Sequence, residues 1–223
     1  MVINSSDHAE GRYGQKVSDA TVGRLSRYYR TLKHLEARGV ETVSSDELAR
    51  RNNVTSAQVR KDFSFFGAFG RRGLGYNVRD LKRHIARILG LDQEWHLALV
   101  GVGNIGRALL NFSQFEEHNF HFKLLLDSDP RKIGTRINGL EVKNLHNLEA
   151  EITKAHVDIA VIAVPVEAAQ KVTDALISAG VKAIFNFAPI SLFVPPNVTV
   201  RNENMVIEIE HLSFALTQGQ AKR

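Results

Sequence analysis

The hydrophobic positions change period part-way along the chain. In the first part they recur at helical spacing over short segments. Val22, Leu25, Tyr29, Leu32 and Leu35 share one face of a helix that Ser18 can cap and Gly39 can stop. Ser44 and Glu47 have capping-box spacing for a short helix through Arg51. Asn52-Asn53-Val54 reads as a turn, and Thr55 and Gln58 form a second capping box that opens a third helix through about Phe66. Two short helices joined by so short a turn make a helix-turn-helix pattern. A connecting helix is predicted over residues 80–89, ended by Gly90, with a domain boundary at residues 90–94. Beyond it, short apolar runs at 96–100, 122–127, 158–164 and 181–185 alternate with helical stretches at 107–115 and 167–178, the pattern of a parallel α/β sheet. Residues 204–218 form a helix that is apolar on more than one face, so it must be covered by its own domain or by a partner chain. We expect a dimer contact.

The third helix separates its faces. Val59, Phe63 and Phe66 fall together and point inward, while Ala57, Arg60, Lys61 and Ser64 fall on the other side. A helix that enters a major groove needs such a face: a small residue for close approach, Arg for guanine edges or phosphates, and Lys and Ser for phosphates. A solvated face with two cations would look the same. The next segment, 67–76, carries four glycines, the adjacent Arg71 and Arg72, and the aromatics Phe69 and Tyr76. It reads as a β-hairpin wing whose arginines can enter a minor groove, where the potential is most negative.

Charge sharpens this division. Residues 1–90 carry 17 Lys and Arg against 9 Asp and Glu, and residues 91–223 carry 12 against 15. A basic half joined to a mildly acidic half suggests a polyanion binder attached to a domain with another task. With no Cys among 223 residues, disulfides, thiolate metal sites and thiol redox sensing are excluded. No apolar run is long enough to span a membrane and no apolar leader opens the chain, so a cytoplasmic protein is expected.

The second half opens with a nucleotide signature. The 96–100 strand runs into Gly101-Val102-Gly103-Asn104-Ile105-Gly106 and then a helix. A lone glycine pattern is weak, but here a strand precedes it, a helix follows, and Asp127 ends the next strand 21 residues beyond Gly106. The glycines let the backbone approach a pyrophosphate, and Asp127 can accept from both ribose hydroxyls while repelling a 2′-phosphate, which favours NAD(H) over NADP(H). Arg131 and Lys132 lie close by and soften that preference. In open α/β sheets ligands lie over the carboxyl ends of the strands, so Ala163-Val164-Pro165 and Phe187-Ala188-Pro189 are the expected neighbours of the nicotinamide half.

Other chemistry is missing. The sequence has no HExxH, GxSxG or Walker A motif, and His118 and His121 lack a carboxylate pattern for a metal. A dehydrogenase needs an acid or base near the nicotinamide, and neither His146 nor His156 can be placed there from sequence. The two rivals to a DNA-binding sensor are an NAD-dependent oxidoreductase with a basic appendage, which lacks that group, and a CoA-binding domain, whose 3′-phosphate Asp127 disfavours.

Taken together, these motifs resemble the Rex redox-sensing transcriptional repressors of bacteria. The resemblance rests on Arg27-Tyr28-Tyr29-Arg30, Val43-Ser44-Ser45, Gln58-Val59-Arg60-Lys61-Asp62, the 67–76 segment with Gly75-Tyr76-Asn77, the glycine loop, Ala168-Ala169-Gln170 and Asn186-Phe187-Ala188-Pro189. It implies a homodimer in which residues 1–90 form a winged-helix DNA-binding domain, residues 91–203 a Rossmann-like NAD(H) domain, and residues 204–223 a helix exchanged between subunits. It further implies a non-enzymatic repressor that holds operator DNA when free or with NAD+ and releases it when NADH binds. The expected DNA contacts are Ser45, Ser56, Ala57, Gln58, Arg60, Lys61, Ser64, Arg71, Arg72, Gly73 and Tyr76. The expected coenzyme contacts are Gly101 to Gly106, Asp127, Ala163 to Pro165, Phe187 to Pro189 and the partner's Met205. Many members carry Asp near the start of the last helix, where this chain has Asn204-Met205.

Overall fold

The computed structural model describes residues 17–67 and 74–220, with side chains described to residue 218. The chain divides into two compact units, Met1–Gln93 and Glu94–Arg223. In the first unit, helix α1 (Asp19–Ala37) leads to β1 (Thr42–Val43), α2 (Ser45–Asn52), α3 (Ser56–Ser64), β2 (Tyr76–Asn77) and α4 (Val78–Ile88).

Helix starts follow short polar side chains. Ser18 accepts from the Thr21 amide at 3.3 Å, Ser44 from Glu47 at 3.0 Å, Thr55 from Gln58 at 3.1 Å and Asn77 from Asp80 at 3.0 Å. Neither expected capping box closes. The Glu47 carboxylate instead accepts from Arg51, and the Gln58 amide donates to Asp62, each one turn along its helix. The α1 stripe is rotated from the predicted one: Leu25, Tyr28, Leu32 and Leu35 are buried, Tyr29 is half-buried and Val22 is exposed. Both tyrosines fit helical spacing with Leu25 and Leu32. Tyr28 turns inward because its ring meets Phe63 edge-on at 5.6 Å and its hydroxyl reaches a buried carboxylate.

Tyr76, expected among the DNA contacts, is largely buried. Its strand pairs antiparallel with β1, Val43 opposite Tyr76, and the ring lies buried against Phe63 at 5.3 Å. Its ring belongs to the core of the first unit. Arg71, Arg72 and Gly73, with the rest of residues 68–73, lie outside the described residues.

The second unit is a seven-stranded sheet. Its elements are β3 (Trp95–Val100), α5 (Asn104–Leu110), α6 (Gln114–Glu117), β4 (Phe120–Asp127), β5 (Arg136–Ile137), β6 (Leu140–Asn144), α7 (Leu148–Ala155), β7 (Ile159–Ile162), α8 (Val166–Ser178), β8 (Ala183–Asn186), β9 (Thr199–Asn202) and α9 (Met205–Gln220). The order is β5-β6-β4-β3-β7-β8-β9, parallel throughout except β5. Side chains alternate across it: Ala98 and Val100 join the core under α7 and α8, whereas Leu97 and Leu99 join the core that contains Val102, Leu109 and Phe115. The predicted 107–115 helix is two short ones, broken at Asn111-Phe112-Ser113. The β5–β6 hairpin turns at Asn138-Gly139, both at positive φ (49° and 81°), as a two-residue turn between twisted strands requires.

Helix α9 does not dock on its own chain. Met205, Ile209, Leu212, Phe214 and Leu216 are each at least 60% exposed. Asn204 caps it, accepting from the Val206 amide at 3.0 Å.

Candidate functional site

The strand order reverses at β3. The chain leaves β3 toward β4 and β6, then returns to the other side of β3 as β7. A crevice opens at the carboxyl ends of strands at such a reversal, and connecting loops on either side form its walls. One wall is the glycine loop after β3 and the other is Ala163-Val164-Pro165 after β7. They are so close that a Cβ on Gly101 (φ +95°) would lie 2.5 Å from the Ala163 carbonyl oxygen. A Cβ on Gly106 would lie 2.2 Å from the Gly101 carbonyl oxygen, so helix α5 packs onto its own entry loop. Gly103 differs: a Cβ there meets nothing within 4 Å, and the space beyond it is open. Asn104 and Ile105 are exposed beside it, while Val102 is buried with its side chain in the core.

Asp127 fixes this loop from behind. Its Oδ2 accepts from the Val102 amide at 2.8 Å and from Lys132 Nζ at 2.9 Å, and its Oδ1 accepts from the Asp129 amide at 2.8 Å. Burial pushes this carboxyl upward, but the Asp129 amide, Lys132 and the Val102 amide outweigh burial and hold it below the usual range. Lys132 therefore occupies a carboxylate that sequence reasoning left for ribose hydroxyls. Asp129 is also held low, at about 2, by the exposed Arg131 guanidinium.

The third wall is the loop after β8. Asn186 is fully buried. Its Nδ2 donates to the carbonyls of Ala188 (3.0 Å) and Ile190 (2.9 Å) and to Asn202 Oδ1 (2.9 Å), and its Oδ1 accepts from the Ala188 amide (3.0 Å). It shapes the Phe187-Ala188-Pro189 turn, in which Ala188 is buried and Pro189 exposed. Gln170 clamps the next stretch through both amide atoms, to the Phe193 amide at 2.9 Å and the Phe193 carbonyl at 3.0 Å. Met205 begins α9 beyond β9, with β7 and β8 between that edge strand and β3, and is 60% exposed. Within one chain it is not brought to the crevice. His156 ends α7 at the amino end of β7, the opposite end of the sheet. Among the described residues, no group of three or more His, Asp or Glu could hold a metal ion.

In the first unit, Ala57, Arg60, Lys61 and Ser64 share the exposed face of α3. Ser45, at the start of α2, accepts from Arg60 Nη1 at 3.0 Å, so the two helices meet at a residue pair on that surface. Ser56 and Gln58 are half-buried at the amino end of α3. Beneath them lies Asp62, fully buried, which accepts from Arg24 Nε and Nη2 (both 2.6 Å), Tyr28 (2.9 Å) and Gln58 (2.7 Å). Burial pushes Asp62 up, yet these donors hold it below the ordinary range, while burial and Asp62 push the Tyr28 phenol well up.

Known proteins align over both units. A family model described as "CoA binding domain" matches residues 92–190, and one described as "Putative DNA-binding protein N-terminus" matches residues 16–64. A redox-sensing transcriptional repressor Rex from Desulfitobacterium hafniense is 49% identical over 89% of this chain and 95% of its own. Another from Desulforamulus reducens is 46% identical over 90% of this chain and 96% of its own. The chain belongs to the Rex family. Two solved structures of RSP, a Rex-family repressor, are also similar. RSP with β-NAD+ and operator DNA is 37% identical, with a TM-score of 0.89 over 93% of this chain and 95% of that one. RSP with β-NADH is 36% identical, with a TM-score of 0.83 over 92% and 96%.

For a Rex-family chain, the sequence reading passed over Lys132, Asp62, Gln170 and Asn186 as site residues. The last three stand inside motifs it quoted. Their partners lie 16 to 38 residues away, in Asn202, Phe193 and Arg24, and no local periodicity points there.

Proposed function

We propose that this chain is a homodimeric repressor that holds operator DNA when free or carrying NAD+ and releases it when NADH binds. The observation that carries this reading is the crevice at the strand reversal, with open space beyond Gly103 and a buried acid behind the glycine loop. The dinucleotide lies along that loop, its adenosine ribose near Asp127 and its nicotinamide toward Ala163-Val164-Pro165 and Phe187-Ala188-Pro189. The oxidised and reduced coenzymes differ by a hydride and a ring charge. Burying a cationic ring among apolar side chains is costly, and burying the neutral ring is not. A pocket completed by the partner's α9 therefore favours NADH, and the closed dimer gains population. Moving that balance from 1:99 to 99:1 needs about 5.5 kcal/mol of differential affinity.

On the DNA side, α3 lies in the major groove, with Arg60 and Lys61 at bases and phosphates and Arg71 and Arg72 at the neighbouring minor groove. A dimer binds two half-sites about 34–36 Å apart, or a multiple of that, and closure moves its two reading helices off that spacing. The apolar α9, exposed on both sides of its axis, supports exchange between subunits. The crevice senses rather than catalyses, and the protein works in the cytoplasm where the chromosome lies. The deciding experiment titrates fluorescent duplex DNA across NADH/NAD+ ratios. DNA release as NADH rises is expected. Unchanged DNA binding by protein saturated with NADH would overturn the reading.

A further inference from the structure

The hydrogen bonds under α3 constrain what its surface can read. Gln58 lies in the first turn of α3, the part of a recognition helix that meets base edges. Its amide nitrogen in the backbone is pinned by Thr55, and its side chain is pinned one turn later by Asp62. Asp62 is fully buried and accepts four hydrogen bonds, two on each oxygen. Three of them come from Arg24 and Tyr28 on α1, so the carboxylate is fixed from outside the helix that carries Gln58. An ionised carboxylate only accepts. The Gln58 amide must therefore turn its nitrogen to Asp62, and the flipped orientation would set oxygen against oxygen.

The consequence lies on the other side of the amide. Oε1 is left as an acceptor, with the second N–H beside it. Adenine offers the complementary pair in the major groove, the N6 amino donor beside the N7 acceptor. Guanine offers two acceptors, and its O6 would face Oε1. Thymine offers an acceptor and a methyl group, and cytosine a single donor. We propose that Gln58 reads an adenine in each operator half-site and that Asp62, held by Arg24 and Tyr28, is the positioning residue that sets its amide for that base. This rests on the DNA-binding face assigned to α3 above, and deepens it by naming a base and the side chain that selects it.

The test is selection of duplexes from a library with a randomised central segment, run in parallel on the full-length wild type, Gln58→Ala and Asp62→Asn. The wild type should enrich a two-fold symmetric sequence with one adenine per half-site that depends on Gln58. At that position adenine should exceed guanine on the order of tenfold, the size of one good bidentate contact. Gln58→Ala should lose the preference there and keep the rest of the sequence. Asp62→Asn carries an amide that can donate, so Gln58 is free to flip and adenine and guanine should become nearly equal at the same position. The salt dependence of binding reports phosphate contacts and should not change. If Asp62→Asn fails to fold, Gln58→Ala still decides for the reader. Equal profiles for Gln58→Ala and the wild type overturn the inference and leave the repressor standing. So does a Gln58-dependent guanine or thymine. A folded Asp62→Asn with undiminished adenine preference overturns the role of Asp62. A wild type that enriches no sequence overturns the DNA-reading face itself.

Discussion

Among the described residues, each half of the molecule buries one aspartate, and the two are used differently. Asp62 receives only side-chain donors, three of them from another helix, and the Arg24 guanidinium above it is 16% exposed. Asp127 receives two backbone amides from its own crevice, and its third donor, Lys132, is 29% exposed. The first carboxylate is a structural bolt between α1 and α3, closed to exchange except through Gln58. The second holds a loop and keeps one displaceable partner toward solvent. A repressor of this design needs both: a rigid surface for DNA and a site whose hydrogen bonds can be traded for those of a ligand.

Truncating each acid should break this pairing most visibly. Asp62→Ala leaves a nearly buried guanidinium uncompensated and a buried phenol without its acceptor, a loss of about 3–5 kcal/mol. Asp127→Ala leaves two amides short of an acceptor while Lys132 regains water, a loss of about 1–3 kcal/mol. The single tryptophan, Trp95, begins β3 and reports the second unit, whereas far-UV circular dichroism reports the helices of both. Asp62→Ala should advance the dichroism transition in urea and leave the fluorescence transition in place. Coincident shifts of both would contradict the separation of the units. Acid gives the same contrast. Both carboxyls are held below their unfolded value, near 3.9, so their stabilisation is complete above that value and is lost as pH falls through the lower folded values. Asp62→Asn should remove part of the acid transition seen by dichroism and little of that seen by fluorescence.

The glycine loop sharpens the comparison inside the second unit. Gly106→Ala drives a Cβ into the Gly101 carbonyl and should cost roughly 1–3 kcal/mol or more. At Gly103 an added Cβ meets no atom within 4 Å and φ is ordinary (−87°), so Gly103→Val should cost about 1 kcal/mol as a poorer helix cap. Yet Gly103→Val fills the space proposed for the coenzyme. It should fold, bind DNA and ignore NADH in the titration described above. Retained release by NADH would remove Gly103 from the ligand path.

The sequence exposed features whose cause is local. The caps Ser18, Ser44 and Thr55, the left-handed Gly39 and Gly90, and the strand–glycine–helix run all act within a few residues. Of the parallel strands, β3, β4, β7 and β8 were legible because each is a mostly apolar run, whereas β6 and β9 mix polar residues into a short segment and were not. What escaped was set by distant partners. Tyr28 and Tyr29 satisfy one helical stripe equally well, and only Asp62 and Phe63 choose between them. The division of α3 into two faces leaves Asp62 unplaced, because three of its four hydrogen bonds come from Arg24 and Tyr28 on α1. The Asn138-Gly139 hairpin was missed although its signal was local, since the short strands around it carry little hydrophobic pattern.

The smallest predicted effect tests whether Lys132 is the exchangeable partner that separates Asp127 from Asp62. Its ammonium lies 2.9 Å from the carboxylate and partly offsets the charge that would repel a 2′-phosphate. Lys132→Ala leaves both backbone donors on Asp127, so the glycine loop keeps its shape. The exposed carboxylate then discriminates more strongly. Titrated in parallel, NADPH should weaken by up to about fivefold relative to NADH, the size of a partly solvated ion pair. The change should shrink at high salt, where such a contact is screened. Equal losses for the two coenzymes would mean that Lys132 supports the loop in the way Arg24 supports α3, and the contrast between the two buried acids would fail.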